Sequence, residues 1–355
     1  MHKIVNEDCR NIINNLGDLV NRFEGTRVLI TGHQGFLGAN FLMMLQSMNR
    51  EVLQKPMQIT CIDNGIVDLE DHTRQMEDVT FLYGDALEQL PDESFDYVFH
   101  CAGIASPTFY RQHPLETIEV NAIGYWNMLR QMDTSALKGF LYFSTSEIYG
   151  DPDSQHIPTQ EDYRGNVSCN GPRACYDESK RLGETISVSF AEQHGLPIKI
   201  VRPFNVYGPF MRLGDKRVIP DFVKFAYEKQ AIHMYSDGSP TRAFCYTSDA
   251  IEGFTRALLL GKAGRSYNIG NDTQETSMRD LAGMIADIIG NVDITFAESE
   301  DKDYLTDNPQ RRRPNLERAR HELGYQPKVG VKDGLQRIIR WYEDIYELKP
   351  LVNEG

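Results

Sequence analysis

Through the first two hundred residues, short apolar runs alternate with stretches of helical spacing. The runs fall at Val28–Ile30, at QITCID ending on Asp63, at VTFLYGDAL through Asp85, at FDYVFHCAG, at FLYF from Phe140 and at IKIVRP from Ile198. Apolar runs of this length, bounded by glycine and polar turns and separated by helical segments, predict strands buried on both faces of a parallel sheet. Residues 1–25 precede this alternation. Ile4, Ile12, Ile13, Leu16, Leu19, Val20 and Phe23 predict an amphipathic helix ending at Gly25. After about residue 205 the alternation breaks into shorter pieces rich in Pro, Gly and Arg. The pattern predicts an α/β protein: an N-terminal helical extension (1–25), a doubly wound parallel sheet domain (26–204, with 241–262 returning to it), and a smaller C-terminal substrate-binding lobe (205–240 and 263–355).

The first strand and helix are joined by TGHQGFLG, with Gly32, Gly35 and Gly38 in the turn. Glycines there let the backbone approach a pyrophosphate seated on the helix N-terminus, the Rossmann-type arrangement. Asp63 closes the second strand. A carboxylate at that point binds a ribose 2′-hydroxyl and repels a 2′-phosphate, which favours NAD over NADP; the alternative for Asp63 is a turn or cap residue. Asp85, with Ala86 beside it, stands where an acidic side chain meets an adenine edge. Ala102 and Gly103 leave room beside a cofactor, or simply make a turn. Asn121 lies in a helical stretch, where it either ties backbone together or relays a proton.

The stretch from Phe140 to Lys180 carries the chemistry. A strand ends in Ser144, Thr145, Ser146 and Glu147, and a later helix sets Tyr176 and Lys180 four residues apart on one face. An ammonium near a phenol favours the phenolate, so Lys180 is expected to lower the Tyr176 pKa and make it a base toward a substrate alcohol. The Thr145 or Ser144 hydroxyl would hold that alcohol. Arg217 and Arg242, expected in loops beside apolar anchors, offer guanidinium forks to a diphosphate, and Arg311–Arg313 form either a solvated face or part of the same anion site.

Composition narrows the partners. A net charge of −14 over 355 residues argues against nucleic acid or an anionic membrane, and no 18-residue apolar run predicts a membrane span. Six scattered cysteines without a CxxC, and polar residues where a signal peptide would be apolar, point to reduced thiols in the cytoplasm and to no metal site.

These motifs together resemble the extended short-chain dehydrogenase/reductases that modify nucleotide sugars, above all the UDP-glucuronate decarboxylases. The resemblance runs from about Arg27 to Tyr342, through TGHQGFLG, ASPTFYRQHP (105–114), STSEIYGDP (144–152), GPRACYDESKR (171–181), RPFNVYGPFMR (202–212), SPTRAF (239–244) and RRRPNLERARHELGYQP (311–327). It implies NAD as a recycled cofactor and a nucleotide-sugar substrate. Tyr176 would be the base at the sugar 4-hydroxyl, Lys180 its partner on the nicotinamide ribose, Thr145 a hydrogen bond to the 4-oxygen, and Glu147 a group acting near C5 and C6. Asn205, Arg217 and Arg242 would hold the diphosphate, and Arg312 would approach the sugar carboxylate. The resemblance also implies Phe36, Leu37, Asn64 and Ala86 at the cofactor, Ser106 and Ser146 at the substrate, and a homodimer formed through helices near 110–131 and 174–194. Related 4,6-dehydratases carry Asp-Glu where this chain has Ser146-Glu147, and plain 4-epimerases typically lack the glutamate; these two activities remain the alternatives. Two stretches depart from the decarboxylase pattern: KRVIPDF has Pro220 and Asp221 where those enzymes carry a serine, and Gly103-Ile104 stands before the ASP motif; these leave the sugar and the nucleotide open.

Overall fold

In the computed structural model the described residues are 1–65, 76, 78–85, 90–290, 292–296 and 309–349. Helix α1 (Lys3–Leu16) leads into a short 3₁₀ turn, Gly17–Phe23. Then β1 (Arg27–Thr31), α2 (Phe36–Glu51), β2 (Gln58–Asp63), β3 (Val79–Tyr83) and β4 (Tyr97–His100) follow. Three short helices, α3 (Pro107–Gln112), α4 (Pro114–Ile118) and α5 (Tyr125–Gln131), precede β5 (Gly139–Phe143). The long α6 (Ala174–His194) crosses to β6 (Ile198–Pro203) and β7 (Val206–Tyr207). The remainder comprises α7 (Val218–Lys229), β8 (Ala231–Met234), β9 (Thr241–Arg242), β10 (Cys245–Tyr246), α8 (Thr247–Leu260), β11 (Ser266–Ile269), β12 (Thr276–Ser277), α9 (Met278–Ile289), β13 (Asp293–Phe296), β14 (Arg311–Arg312), α10 (Glu317–Leu323) and α11 (Val331–Tyr346).

Seven parallel strands form the main sheet in the order β11-β6-β5-β4-β1-β2-β3. Val28, Leu29 and Ile30 are completely buried, as are Phe140, Leu141, Ile198 and Ile200. Helices on both faces explain why these strands read as continuous apolar runs. The order reverses between β1 and β4, and that switch point is where the strand ends open a crevice for a ligand. The strand β11 joins the sheet as its edge beside β6, although the sequence pattern assigned residues from 263 onward to the lobe. Its four residues are too short a run to announce a strand.

The lobe uses small sheets. β9 lies between β12 and β14, β10 pairs with β7, and β13 pairs with β8. These pairings bring segments far apart in sequence over the carboxyl ends of the main strands. The N-terminal extension is a helix that stops at Leu16 rather than Gly25. It packs on α2 and α8, and its buried Asp8 accepts from Tyr246 Oη at 2.7 Å and from Arg337 at 2.7 Å. Among the described residues no helix is long and apolar enough to cross a membrane.

Candidate active site

A cleft of about 1540 Å³ runs from the glycine turn, across the ends of β4, β5 and β6, to the lobe. At its first end the glycines have steric reasons. Gly32 adopts φ +70°, and a Cβ there would sit 2.7 Å from the Ala102 backbone; a Cβ on Gly38 would sit 2.2 Å from the Gly32 carbonyl oxygen. β1, the turn and α2 therefore come closer than any other residue permits, and the start of α2 is left open. Gln34, Gly35, Phe36 and Leu37 line the cleft. Asp63 anchors this turn: one carboxylate oxygen accepts from Gln34 N and the other from Gly65 N, each at 3.0 Å. Ala102 N donates to Thr31 Oγ1 at 3.2 Å. Asp85 lies just past the end of β3, and Asn64 just past β2. Ala86 lies outside the described residues. This cradle of glycines and the Asp63 carboxylate fits a dinucleotide.

Beyond it, β5 delivers Ser144, Thr145 and Ser146, all buried, and the next turn presents Glu147. Thr145 Oγ1 accepts from Glu147 N at 3.2 Å, and the Ser144 hydroxyl has no partner among the described residues. On α6, Tyr176 and Lys180 are both buried. Lys180 Nζ donates to the Phe143 carbonyl at 2.9 Å and lies 5.4 Å from the Tyr142 ring centre.

The expected drop in the Tyr176 pKa is not found. Burial pushes Tyr176 up to about 12, with the Thr145 hydroxyl and the Arg217 charge pulling the other way and Glu147 adding to the rise. Burial also drives Lys180 down to about 8. The ammonium is held by a backbone carbonyl, so desolvation dominates both groups.

Glu147 is gripped by two arginines. Arg312 makes a bidentate contact, with Nη2 donating to Oε2 at 2.7 Å, and Arg173 meets the same Oε2. Against the cost of burial, Arg173 and Arg312 hold its carboxyl down to about 2. Arg242, buried on β9 rather than in a loop, is depressed to about 9 by burial and by the neighbouring Arg312 charge. Strand β14 pairs with β9, setting Arg312 opposite Arg242. Of the arginine run, Arg311 pairs with Glu275 outside the cleft and Arg313 donates to the Asp272 carbonyl, so only Arg312 serves the site. Arg217 directly precedes α7 and lines the cleft with its Nε 2.8 Å from Asp215. Asn205 lines it too, at φ +42°, with Nδ2 donating to Ala243 O at 3.3 Å. Ser106 donates to Asp215 O at 3.0 Å and thereby fixes the Arg217 loop.

The structure thus gathers Thr145, Glu147, Tyr176, Lys180, Asn205, Arg217, Arg242 and Arg312 around one cleft. It adds Arg173 and Tyr110, which line the cleft, and Asp177 behind them. Arg173 is the second clamp on Glu147. Tyr110 stacks on Tyr176 with ring centres 4.9 Å apart and planes 6° apart. Asp177, buried beside Arg173, is lifted to about 7 by burial and by Glu147. All three lie inside the motifs ASPTFYRQHP and GPRACYDESKR, but none differs in type from an ordinary helix residue. Asn121 sits in a π-helical turn, Glu119–Gly124, and donates to Ser179 Oγ at 3.3 Å, while its Oδ1 finds no partner among the described residues. Such turns cluster at functional sites. Among the described residues no group of three or more His, Cys, Asp or Glu side chains could hold a metal.

Residues 28–270 match the model of the NAD dependent epimerase/dehydratase family. The chain belongs to this family. NAD is accordingly its cofactor, and the cradle at Gly32–Gly38 and Asp63 is the part that fits it. This family member is 37% identical over 311 residues to UDP-glucuronic acid decarboxylase 6 of Arabidopsis thaliana, which spans 87% of this chain and 86% of that one. It is 35% identical to UDP-glucuronic acid decarboxylase 1 of Xenopus tropicalis over 89% of this chain and 72% of the other. In three dimensions it is similar to an epimerase of Methanothermobacter thermautotrophicus, with a TM-score of 0.79, 25% identity and 97% of both chains covered. The fold is shared with a dTDP-glucose 4,6-dehydratase of Streptomyces venezuelae, with a TM-score of 0.76, 24% identity, and 90% and 98% of the two chains covered.

Proposed function

We propose that this family member decarboxylates a nucleotide-linked uronic acid, in the manner of the conversion of UDP-glucuronate to UDP-xylose. The observation that carries the reading is Glu147 clamped by Arg173 and Arg312 beside Thr145 and Tyr176. NAD held at the Gly32–Gly38 turn and Asp63 would supply a reversible hydride acceptor for C4 of the sugar. Tyr176, which must first be ionised against its burial, takes the proton of the 4-hydroxyl, with Thr145 holding that oxygen. The resulting ketone stands β to the C6 carboxylate, and such an acid loses CO₂ readily. Arg312, whose Nε has no partner among the described residues, meets the carboxylate, while the negative Glu147 beside it disfavours charge there and so favours release of neutral CO₂, its bonding electrons passing through C5 to the 4-oxygen. The enolate formed is held at its oxygen by Tyr176 and Thr145 until C5 takes a proton from water, and the Tyr176 proton then returns to the 4-oxygen as C4 is reduced. Asn205, Arg217 and Arg242 hold the diphosphate.

Dehydration has less support, because pushing off a C6 hydroxyl needs an acid, and the position that carries Asp in dehydratases is the buried Ser146. A 4-epimerase remains the second reading, since family members of that activity share the fold. The six cysteines are all free, in keeping with a reducing cytoplasm. We also infer a homodimer formed through α4, the π-helical turn after it, α5 and α6, where Leu115, Ile118, Ile123, Trp126 and Leu182 are exposed.

The test is incubation of purified protein with UDP-glucuronate and with its GDP and CDP counterparts, followed by mass spectrometry. Loss of the mass of CO₂ with no net NADH supports decarboxylation. Loss of the mass of water indicates dehydration, and an isobaric new species indicates epimerisation.

A further inference from the structure

Asp221 is a carboxylate of the cleft with no part in the proposed reaction. Asp221 lies one turn into α7, its N–H donating to Arg217 O at 2.9 Å. Its side chain lines the cleft and makes no hydrogen bond or ion pair with a described residue. Burial lifts it to about 6, against the pull of Lys216 and Lys224. A half-buried carboxylate with open acceptor positions is costly unless something donates to it.

What lies next to it is a set of rings. Phe225 is one turn further along the same face of α7, and His233 and Tyr235 stand against it, with ring centres 5.5 and 6.4 Å away. Lys229, a turn beyond, covers the Phe225 ring at 5.4 Å. Phe225, His233 and Tyr235 are half-buried, and all line the cleft. A helix advances about 6 Å in four residues, so Asp221 and Phe225 stand roughly 6 and 12 Å past Arg217. A nucleotide whose phosphates rest on Arg217, and which runs along α7, would bring its base among these rings. Aromatic faces accept any base, so they cannot choose between them. Asp221 can.

We propose that Asp221 selects the base of the nucleotide sugar, and that it favours one carrying an amino group, guanine above cytosine, over uracil. An ionised carboxylate only accepts hydrogen bonds. Guanine offers it two adjacent donors, the ring N–H and the amino group, which match both oxygens. Cytosine offers its amino group. Uracil has one N–H flanked by two carbonyls, so the second carboxylate oxygen would face a lone pair. This inference rests on the nucleotide-sugar reading and narrows it.

The experiment is calorimetric titration of the NAD-loaded protein and its Asp221→Asn variant with GDP, CDP and UDP. The expected result is that GDP or CDP binds the wild type at least tenfold more tightly than UDP. Asp221→Asn, which replaces an acceptor with a donor, should remove that preference and improve UDP binding. Wild-type protein that binds UDP as well as the others overturns the proposal while leaving the nucleotide-sugar reading intact. An unchanged order of affinities in Asp221→Asn overturns it as well. If none of the three diphosphates binds, both readings fall.

Discussion

Arg312 and Glu147, 165 residues apart, close on each other through two parallel hydrogen bonds in the floor of the cleft. The pair separates the two halves of the proposed reaction. Oxidation at C4 depends on Tyr176 and Thr145; loss of the carboxylate depends on the Arg312 and Glu147 charges. Glu147→Gln should therefore slow release of CO₂ by roughly 10²-fold or more, on the scale of a lost preorganised electrostatic contact. Formation of bound NADH, followed at 340 nm in a single turnover, should persist. A variant that loses both signals equally would show that Glu147 serves the oxidation step instead.

Tyr176 is held neutral by burial, at about 12, and must give up its proton to work. Tyr176→Phe keeps the ring stacked on Tyr110 and removes only the hydroxyl. A loss of roughly 10²–10⁴-fold in the first NADH transient is expected for removal of a general base. Melting temperature should stay close to wild type, because the ring contacts survive. A wild-type transient in this variant would remove Tyr176 from the chemistry.

How far the sequence reveals this site follows from what each element depends on. The glycine turn, Asp63, and the Tyr176–Lys180 spacing are local: backbone sterics and helix periodicity fix them, so they could be read directly. The grip of Arg173 and Arg312 on Glu147 depends on β14 pairing with β9, a two-residue ladder that no periodicity announces. The expected effect of Lys180 on Tyr176 fails for a physical reason. Spacing gives proximity but not desolvation, and desolvation dominates here. The edge strand β11 is not announced in the sequence because four residues carry too little pattern.

Gly38 shows how tightly the cofactor turn is built. A Cβ there would lie 2.2 Å from the Gly32 carbonyl oxygen and 2.7 Å from the His33 Cα, both backbone atoms that cannot rotate away. Gly38→Ala must push α2 off the turn. The expected outcome is loss of NAD binding, by tenfold or more in a fluorescence titration, with a lower melting temperature. Unaltered NAD affinity would place the dinucleotide elsewhere.

Asp177 makes stability depend on pH in an unusual direction. Its folded pKa, about 7, lies above the ordinary carboxylate value of 3.8, because of burial and the Glu147 charge. The folded protein therefore binds a proton that the unfolded chain releases, and this group's share of stability is lost as pH rises from about 4 through 7. Asp177→Asn removes the ionisation. Its melting temperature should exceed that of wild type at pH 8, and the advantage should shrink as pH falls toward 4. A constant offset at every pH would show that Asp177 acts through Arg173 geometry alone.

The outer face of α4, α5 and α6 is the last place where packing and exposure disagree. Tyr125, Met128 and Leu129 are buried in the core, so they are spent within the protomer. Leu115, Ile118, Ile123, Trp126 and Leu182 are left outside, with 76%, 37%, 55%, 42% and 50% of their surfaces exposed. Trp126 is held edge-on to Phe190 at 5.2 Å, which fixes part of that surface in place. Five large apolar side chains on neighbouring helices make a surface that water disfavours, and a second copy of the same face would cover it. Sedimentation velocity at micromolar concentration should give a dimer. The double variant Leu115→Asp/Ile123→Asp places charges in that face without touching the core, and should sediment as a folded monomer with unchanged far-ultraviolet circular dichroism. A wild-type protein that stays monomeric would leave the apolar face without this partner.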